Sequence, residues 1–303
     1  MHFAASMARV VRVVPFFAGV LLLLAIAGST GSATSDGRIV FQATPPGSFA
    51  SQLYSIQPTG DGLKQLTTGA SPAVDPAFSP GGQKIAFARS GVGLFTINRD
   101  GSGLKRLTKN GRDASPAWSP DGRNIAFTRP SGPQWHVFVL AASGGKARRL
   151  PQVPPAGRPS WTKAGLLIPT GGDLLRVDTK TGKVLRYYGA TIDAIWGLNS
   201  VTISPAVSFL TYIGSRDSEP GDMECGDGAC QRFALYQENL TTKKKKPRLI
   251  VKNAGPAAFS PDGRRIVFTL EGALVIRSVS TGASTRISTG DLTPTTGAPP
   301  SWR

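Results

Sequence analysis

Short apolar segments separated by polar turns dominate the pattern of this chain. Apolar triplets occur at Ile85–Phe87, Ile125–Phe127 and Ile266–Phe268, and each follows a Ser-Pro-Gly-Gly or Ser-Pro-Asp-Gly turn. In these turns proline presets φ and the last glycine supplies a positive φ. Triplets of this kind, bounded by turn residues, indicate short strands buried on both faces. The pattern predicts an all-β protein built from many short strands.

The turn and its triplet belong to a longer unit that repeats along the chain. Measured at the aromatic or isoleucine residue before each turn, the steps are 40, 43, 42, 56 and 43 residues. Each unit has room for four short strands, and four-stranded repeats of about 40–45 residues are typical of β-propeller blades. The residues at the repeated position are Phe78, Trp118, Trp161, Ile203, Phe259 and Trp302.

The two ends of the chain carry complementary halves of this repeat. The C-terminal residues 300–303 read Pro-Ser-Trp-Arg, which is the first half, and residues 35–41 read Ser-Asp-Gly-Arg-Ile-Val-Phe, which is the second. A first strand supplied by the C-terminus would complete the split blade and leave neither sheet edge open. The sequence therefore predicts a six-bladed β-propeller over residues 34–303, closed by pairing of the C-terminal strand with the N-terminal half-repeat.

The repeated unit resembles a known family. Pro-x-Trp-Ser-Pro-Asp-Gly-x-x-Ile-Ala-Phe at 116–127 and the turn Asp-Gly-Ser-Gly-Leu-Lys-Arg-Leu-Thr at 100–108 are similar to the blades of TolB-like propellers. The resemblance covers residues 36–303 and implies an exported, envelope-associated propeller. TolB proteins also carry an α/β domain ahead of the propeller, and we expect no counterpart of that domain here.

Residues 1–33 have the composition of a secretory signal peptide. Arg9 and Arg12 precede an apolar run from Val13 to Ala27, and the small residues that follow fit cleavage after Ala27 or after Ala33. A retained membrane anchor is the alternative, although this run is shorter than the roughly 20 residues of a spanning helix. We expect an exported monomer, located in the periplasm, the cell envelope or the medium.

The chain is strongly basic, with 35 Lys+Arg against 18 Asp+Glu and a formal charge of +17. Many of the cations fall at the third turn or fourth strand of a blade, and therefore on the predicted rim. Such a rim suits anionic polymers or lipid headgroups, but basic edge strands also prevent edge-to-edge pairing. We expect no specific nucleic-acid binding and at most peripheral membrane contact. The rim cations are Lys64, Lys105, Arg106, Lys146, Arg148, Arg149, Lys183, Arg186, Lys243, Lys244, Lys245, Lys246, Arg248 and Arg286.

Catalytic signatures are missing from the sequence. His136 is the one histidine beyond the leader, and the chain has no Gly-x-Ser-x-Gly elbow, so a histidine-based relay has little to build on. We expect His136 to be a partly exposed strand residue. The repeated aromatic residues are expected to pack between neighbouring blades, and Asp121 and Asp262 are expected to form turns.

Two groups of acidic residues are candidate binding sites. Asp75, Asp113 and Asp193 lie near the starts of first strands, where propellers border the central channel. They could form a carboxylate ring for a cation, but capping of turns or pairing with arginine is the favoured interpretation. No metal and no cofactor are therefore expected.

The second group lies in the fifth blade, where the repeat is about 14 residues longer than its neighbours. This insertion, at about residues 215–231, contains no Lys or Arg between Asp217 and Cys230. Cys225 and Cys230 are expected to form a loop-closing disulfide in an oxidising compartment. Its acidic residues are Asp217, Glu219, Asp222, Glu224 and Asp227.

These features favour a non-catalytic exported scaffold that contacts a protein or an anionic envelope partner. The alternative is a glycan-active hydrolase or lyase with an active site at the channel mouth. That alternative requires paired carboxylates about 5–9 Å apart.

Overall fold

The computed structural model describes residues 37–170, 173–188, 195–196, 201–206, 209–216, 234–239, 248–295 and 297–303. The regular structure in these ranges is all β-strand, arranged in six antiparallel sheets. We number the sheets as blades 1 to 6 in chain order. The predicted six-bladed, all-β architecture is confirmed. Within the same ranges, no helix has the length and apolar character needed to span a membrane.

Blades 1 to 3 show the regular pattern, in which strands that are consecutive in sequence are neighbours in the sheet. In blade 1 these are the second, third and fourth strands, and the C-terminal residues supply the first. The strands are β1 (Ile39–Thr44), β2 (Gln52–Ile56) and β3 (Lys64–Gln65) in blade 1; β4 (Ala73–Phe78), β5 (Lys84–Arg89), β6 (Gly93–Asn98) and β7 (Lys105–Arg106) in blade 2; and β8 (Ala114–Trp118), β9 (Asn124–Ser131), β10 (Gln134–Ala141) and β11 (Arg148–Arg149) in blade 3.

Blades 4 to 6 keep the same order, with one additional short strand, β16, at the start of blade 5. The chain ends with two short strands that belong to blade 1. The strands are β12 (Ser160–Thr162), β13 (Gly165–Thr170), β14 (Asp173–Val177) and β15 (Val184–Tyr188) in blade 4; β16 (Ile195–Trp196), β17 (Val201–Ile203), β18 (Phe209–Arg216), β19 (Ala234–Asn239) and β20 (Arg248–Lys252) in blade 5; β21 (Ala258–Phe259), β22 (Arg265–Leu270), β23 (Ala273–Ser278) and β24 (Ser284–Ile287) in blade 6; and β25 (Thr293–Pro294) and β26 (Ser301–Trp302).

The first strands of the six blades form a closed inner ring. In cyclic order β26, β4, β8, β12, β17 and β21 each contact the next, and β21 returns to β26. The ring closes because β26 pairs with β1, with Trp302 opposite Ile39 and Ser301 opposite Val40. The predicted closure by the C-terminal strand is thus confirmed. β25 adds a second pairing to β1, which the sequence did not indicate.

The propeller has two different faces, which the strand register defines. In blade 3, Ala114 at the start of β8 lies opposite Thr128, and Trp118 at its end lies opposite Ile125. Hairpins between second and third strands, and connections from a fourth strand to the next blade, therefore lie on one side. We call this side the hairpin face. Turns between first and second strands, and between third and fourth strands, lie on the opposite side, the turn face.

The core is distributed between the blades. Trp118 is buried among Ala86, Ala88 and Leu94 of blade 2, and its indole Nε1 donates a 3.0 Å hydrogen bond to the carbonyl oxygen of Ala77. Phe78 packs against blade 1, Trp161 against blade 3 and Trp302 against blade 6 in the same way. The aromatic position of the repeat therefore serves blade packing, as predicted.

Side-chain hydrogen bonds shape two further parts of the blades, the turn after the first strand and the end of the fourth strand. In the turn after β8, Asp121 Oδ1 accepts hydrogen bonds from the Ser119 hydroxyl at 2.5 Å and from the Arg123 backbone nitrogen at 3.0 Å. Asp262 makes the same pair of contacts in blade 6, so both predicted turn-formers are confirmed. The fourth strand of blade 2 is short and consists of Lys105–Arg106. Its ladder stops because the Thr108 hydroxyl, rather than a backbone carbonyl, accepts from the Leu94 nitrogen.

Candidate binding face at the channel mouth

Equivalent residues of blades 2, 3 and 4 meet at the channel mouth. Asp75, Ser115 and Arg158 each lie three residues before the aromatic position of the repeat, and each precedes a proline. Asp75 and Ser115 have φ values of 58° and 54°, and the strand register shifts at both positions. A bulge with a left-handed residue turns that residue out of the ladder, and Asp tolerates this conformation better than most residues.

The carboxylate of Asp75 is the centre of a network that joins these blades. Its Oδ2 accepts from the Ser115 backbone nitrogen at 2.9 Å and from the Ser115 hydroxyl at 3.2 Å, while Arg158 Nη2 donates to Oδ1 at 2.7 Å. The Asp75 nitrogen donates to Gln42 Oε1 at 3.1 Å, and Gln42 Nε2 donates to the Thr295 hydroxyl. The network therefore extends from blade 1 to blade 4 at the hairpin-face end of the first strands.

Asp113 lies apart from this network, in an ion pair within its own blade. Its carboxylate accepts from Arg129 Nε at 2.6 Å and from Nη2 at 2.8 Å, and the Asp113 side chain is fully buried. The guanidinium also lies over the rings of Phe127 and Phe138. Hydrogen bonding to Asp113 raises the pKa of Arg129, so this cation stays charged.

Asp75 and Asp113, the two acids near the starts of first strands that the structure describes, are thus each paired with an arginine. Pairing with arginine is the interpretation that the sequence favours for these acids. Asp193, the third, lies outside the described residues, as do the acids of the insertion and both cysteines. Within the described residues, no group of three or more His, Cys, Asp or Glu is placed to hold a metal ion.

The hairpin face also exposes two large aromatic side chains. Phe49 lies in the hairpin between β1 and β2 and is fully exposed, and Trp135 lies in β10 next to the hairpin of blade 3 and is 41% exposed. Sequence reasoning missed both as candidate binding residues. Their positions in the repeat could have indicated exposure, because neither residue falls on the repeated aromatic position that packs in the core.

His136 differs from its prediction, because it is buried rather than partly exposed. It lies inside β10, and Arg149 Nη2 of the neighbouring strand lies 3.0 Å from its Nδ1. Burial, and then the positive charge of Arg149, lower the pKa of His136 below its ordinary value. The histidine is therefore a neutral packing residue at neutral pH, and no described acid orients it for proton transfer.

A cleft of about 240 Å³ opens between β20 of blade 5 and strands β22 to β24 of blade 6. It contains two arginines and no carboxylate, so it does not offer the acid pair that glycan hydrolysis requires. Its lining residues are Ile250, Val251, Phe268, Leu270, Val275, Arg277, Ser284 and Arg286.

Comparison with known proteins supports the fold. No family model matches the sequence, and a search of curated proteins finds no match. Among solved structures, TolB from Acinetobacter baumannii superposes with a TM-score of 0.66 at 17% identity, over 88% of this chain and 67% of that chain. A chain from the nidogen/laminin complex gives 0.61 at 11% identity, over 88% and 98%.

An oligogalacturonate lyase in complex with manganese gives a TM-score of 0.50 at 11% identity, over 84% of this chain and 74% of that chain. Identities this low show a shared fold alone. The predicted TolB-like propeller is therefore confirmed as a fold. About a third of the Acinetobacter baumannii TolB chain lies outside the alignment.

Proposed function

We propose that this chain is an exported, non-catalytic binding propeller that contacts a protein or an anionic envelope partner through its hairpin face. The observation that carries the proposal is the exposure of Phe49 and Trp135 on the face that holds the polar channel mouth. Large aromatic side chains are the commonest energetic anchors of protein interfaces, and a propeller brings loops from different blades together on one face. The acidic insertion predicted in blade 5 lies between β18 and β19 in the sequence.

The state of the carboxylates supports a binding role rather than hydrolysis. Asp75 is held by Arg158 and Ser115, and Asp113 by Arg129. Glycan hydrolysis needs two carboxyl groups that face the substrate about 5–9 Å apart, whereas each of these carboxylates is engaged by an arginine. The fold shared with an oligogalacturonate lyase is compatible with a glycan-active enzyme, so glycan turnover is a separate outcome of the test.

The test is a pull-down from the organism's own cell-envelope extract at low and at high salt. The bait is residues 34–303, and the variant carries Phe49→Ser and Trp135→Ser. Leu104→Ser is the matched control, because Leu104 is 52% exposed but lies beside the third turn of blade 2, on the turn face. Thermal melting verifies that all baits are folded.

We expect a protein that is retained at high salt by the wild type and by Leu104→Ser, and lost by the double variant. A second bait, in which the insertion acids are changed to Asn or Gln, measures their share of the binding. Retention of an anionic polymer that is lost at high salt and unaffected by the double variant would assign binding to the basic rim and contradict a role of the hairpin face. Equal retention by all baits, no retention at all, or turnover of a supplied oligogalacturonide would contradict the proposal.

A further inference from the structure

The connection between blades 2 and 3 contains the one Asn-Gly pair of the chain, Asn110-Gly111. It lies on the hairpin face, because it joins β7, the fourth strand of blade 2, to β8, the first strand of blade 3. Asn110 is exposed. The chain has five other asparagines, and they precede Arg, Ile, Ser, Leu and Ala. An asparagine side chain can react with the backbone nitrogen that follows it, and glycine hinders that approach least because it has no Cβ.

Two hydrogen bonds hold Asn110 in a tight turn. Its backbone carbonyl oxygen accepts from the Asp113 nitrogen at 3.1 Å, which closes a β-turn over residues 110–113. Its side-chain Oδ1 accepts from the Arg112 nitrogen at 2.9 Å. The second bond forms an Asx-turn, in which the side chain folds back along the backbone of the residues that follow. The amide carbon of Asn110 is therefore held near the Gly111 nitrogen.

The same turn favours reaction between these two groups. When a nucleophile attacks the amide carbon, negative charge develops on Oδ1, and the hydrogen bond from the Arg112 nitrogen stabilises that charge. The Gly111 nitrogen donates no hydrogen bond to any residue that the structure describes, so this nucleophile is not engaged elsewhere. A polarised amide and an available nitrogen are thus neighbours within one turn.

Packing against blade 2 explains why glycine occupies position 111. A Cβ atom there would lie 2.4 Å from both the carbonyl carbon and the carbonyl oxygen of Gly91, in the hairpin between β5 and β6. This distance is far inside van der Waals contact. The Gly91 nitrogen also donates to the Gly111 carbonyl oxygen at 3.1 Å. A larger residue, which would slow the reaction, cannot replace Gly111 unless the two loops move apart.

We propose that Asn110 is a site of spontaneous deamidation in the folded protein. The Gly111 nitrogen bonds to Cγ of Asn110, the Cγ–Nδ2 bond breaks, and ammonia leaves with the proton of the Gly111 nitrogen. Water then opens the resulting cyclic imide at one of its two carbonyl groups. One opening gives aspartate at position 110, and the other gives isoaspartate, whose backbone runs through the former side chain. The reaction needs only water, so the inference does not depend on the proposed function.

The two products change the hairpin face in different ways. Both replace a neutral amide by a negative charge, between Lys109 and Arg112 in the sequence. Aspartate keeps a side-chain oxygen for the Arg112 nitrogen, so the turn is preserved. Isoaspartate adds one carbon to the backbone and takes the carbonyl group that accepts from the Asp113 nitrogen out of the main chain. We therefore expect isoaspartate to open the turn beside Gly91.

The experiment ages residues 34–303, which contain the whole propeller because the ring is closed by contacts inside this range. The protein is incubated at mildly alkaline pH, where removal of the Gly111 amide proton is favoured. Peptide mapping by mass spectrometry measures deamidation at each asparagine, and electron-transfer fragmentation distinguishes isoaspartate from aspartate. Asn253 is the internal control, because it is also exposed in a connection between blades but precedes alanine.

Deamidation of Asn110 should be at least about tenfold faster than deamidation of Asn253, a difference of about 1.4 kcal/mol in activation free energy. A parallel sample in urea measures the same sequence without the turn. Equal rates at the two asparagines of the folded protein would overturn the inference. Loss of the Asn110 amide only in urea would also overturn it, because the folded turn would then protect the amide.

Two variants separate the covalent change from other effects of ageing. Asn110→Ser removes the amide but keeps a side-chain oxygen for the Arg112 nitrogen, and Asn110→Asp supplies the charge of one product. Aged wild type should gain a fraction with a lower Tm, whereas aged Asn110→Ser and fresh Asn110→Asp should melt like the fresh wild type. An equal fall in aged Asn110→Ser, or aged wild type without such a fraction, would overturn the expected opening of this turn.

Discussion

Replacing Arg129 by methionine should destabilise the propeller more than removing its partner, Asp113. Methionine preserves aliphatic contact with Phe127 and Phe138 but leaves the fully buried carboxylate of Asp113 without its described donors. Breaking a buried ion pair from one side costs about 3–5 kcal/mol, because an uncompensated charge is left behind. For a domain of this size, that corresponds to a fall of about 10 °C in Tm.

Blade 2 shows what to expect when the acid of the pair, Asp113, is replaced instead of the arginine. Arg89 occupies the position of Arg129, but alanine, at Ala73, stands where blade 3 has Asp113. Arg89 donates instead to the carbonyl oxygens of Thr68 and Ser71. Asp113→Ala should therefore cost only about 1–2 kcal/mol, since Arg129 is 24% exposed and can hydrate or bind carbonyl groups.

Urea unfolding of the wild type, both single variants and the double variant measures this difference. The double variant should be no less stable than Arg129→Met, and the interaction energy of the cycle should be about 2–3 kcal/mol. Equal losses in the two single variants, or strict additivity in the double variant, would refute the reasoning that a buried uncompensated carboxylate causes the loss. The slope with urea must stay constant for the midpoints to be compared.

Two further predictions concern His136 and Trp302. Because the pKa of His136 is lowered in the folded protein, the unfolded state binds more protons below about pH 6.5, and stability should fall as the pH decreases through that range. His136→Gln should show a smaller fall between pH 7 and pH 5 in urea midpoints, and an unchanged pH profile would contradict this. Trp302→Ala should lower the free energy of unfolding by about 3–5 kcal/mol, because it leaves a cavity at the ring-closing contact with blade 6. Trp135→Ala, at a site that is 41% exposed, should lower it by less than about 1 kcal/mol. Comparable Tm shifts of the two variants would argue against closure by β26.

The architecture could be predicted because its determinants are local and repeated. An apolar triplet after a Ser-Pro-x-Gly turn specifies a buried strand in three blades. Six copies of the longer repeat, four of whose five steps are 40–43 residues, leave a propeller as the arrangement that buries these strands. The split repeat at the two ends predicted that the C-terminal strand pairs with the N-terminal half-repeat, and in the structure Trp302 lies opposite Ile39. Asp121 and Asp262 could be assigned as turn-formers because their hydrogen-bonding partners lie within two residues.

The candidate site was less predictable, because its contacts join residues that are far apart in sequence. Alignment of the repeats places Asp75, Ser115 and Arg158 at one equivalent position, yet only the ring brings Arg158 to a carboxylate two blades away. Burial of His136 depends on how Arg149 covers it from the next strand.

The strands and the number of blades follow from a pattern that recurs in each repeat, and the closure of the ring follows from the repeat that is split between the two chain ends. Only the tertiary structure shows which arginine pairs with which acid on the hairpin face. Arg129 and Arg158 meet carboxylates that lie 16 and 83 residues away in the sequence. These pairs depend on strand register and on the closed ring, because a charge is compensated only by groups within a few ångströms of it.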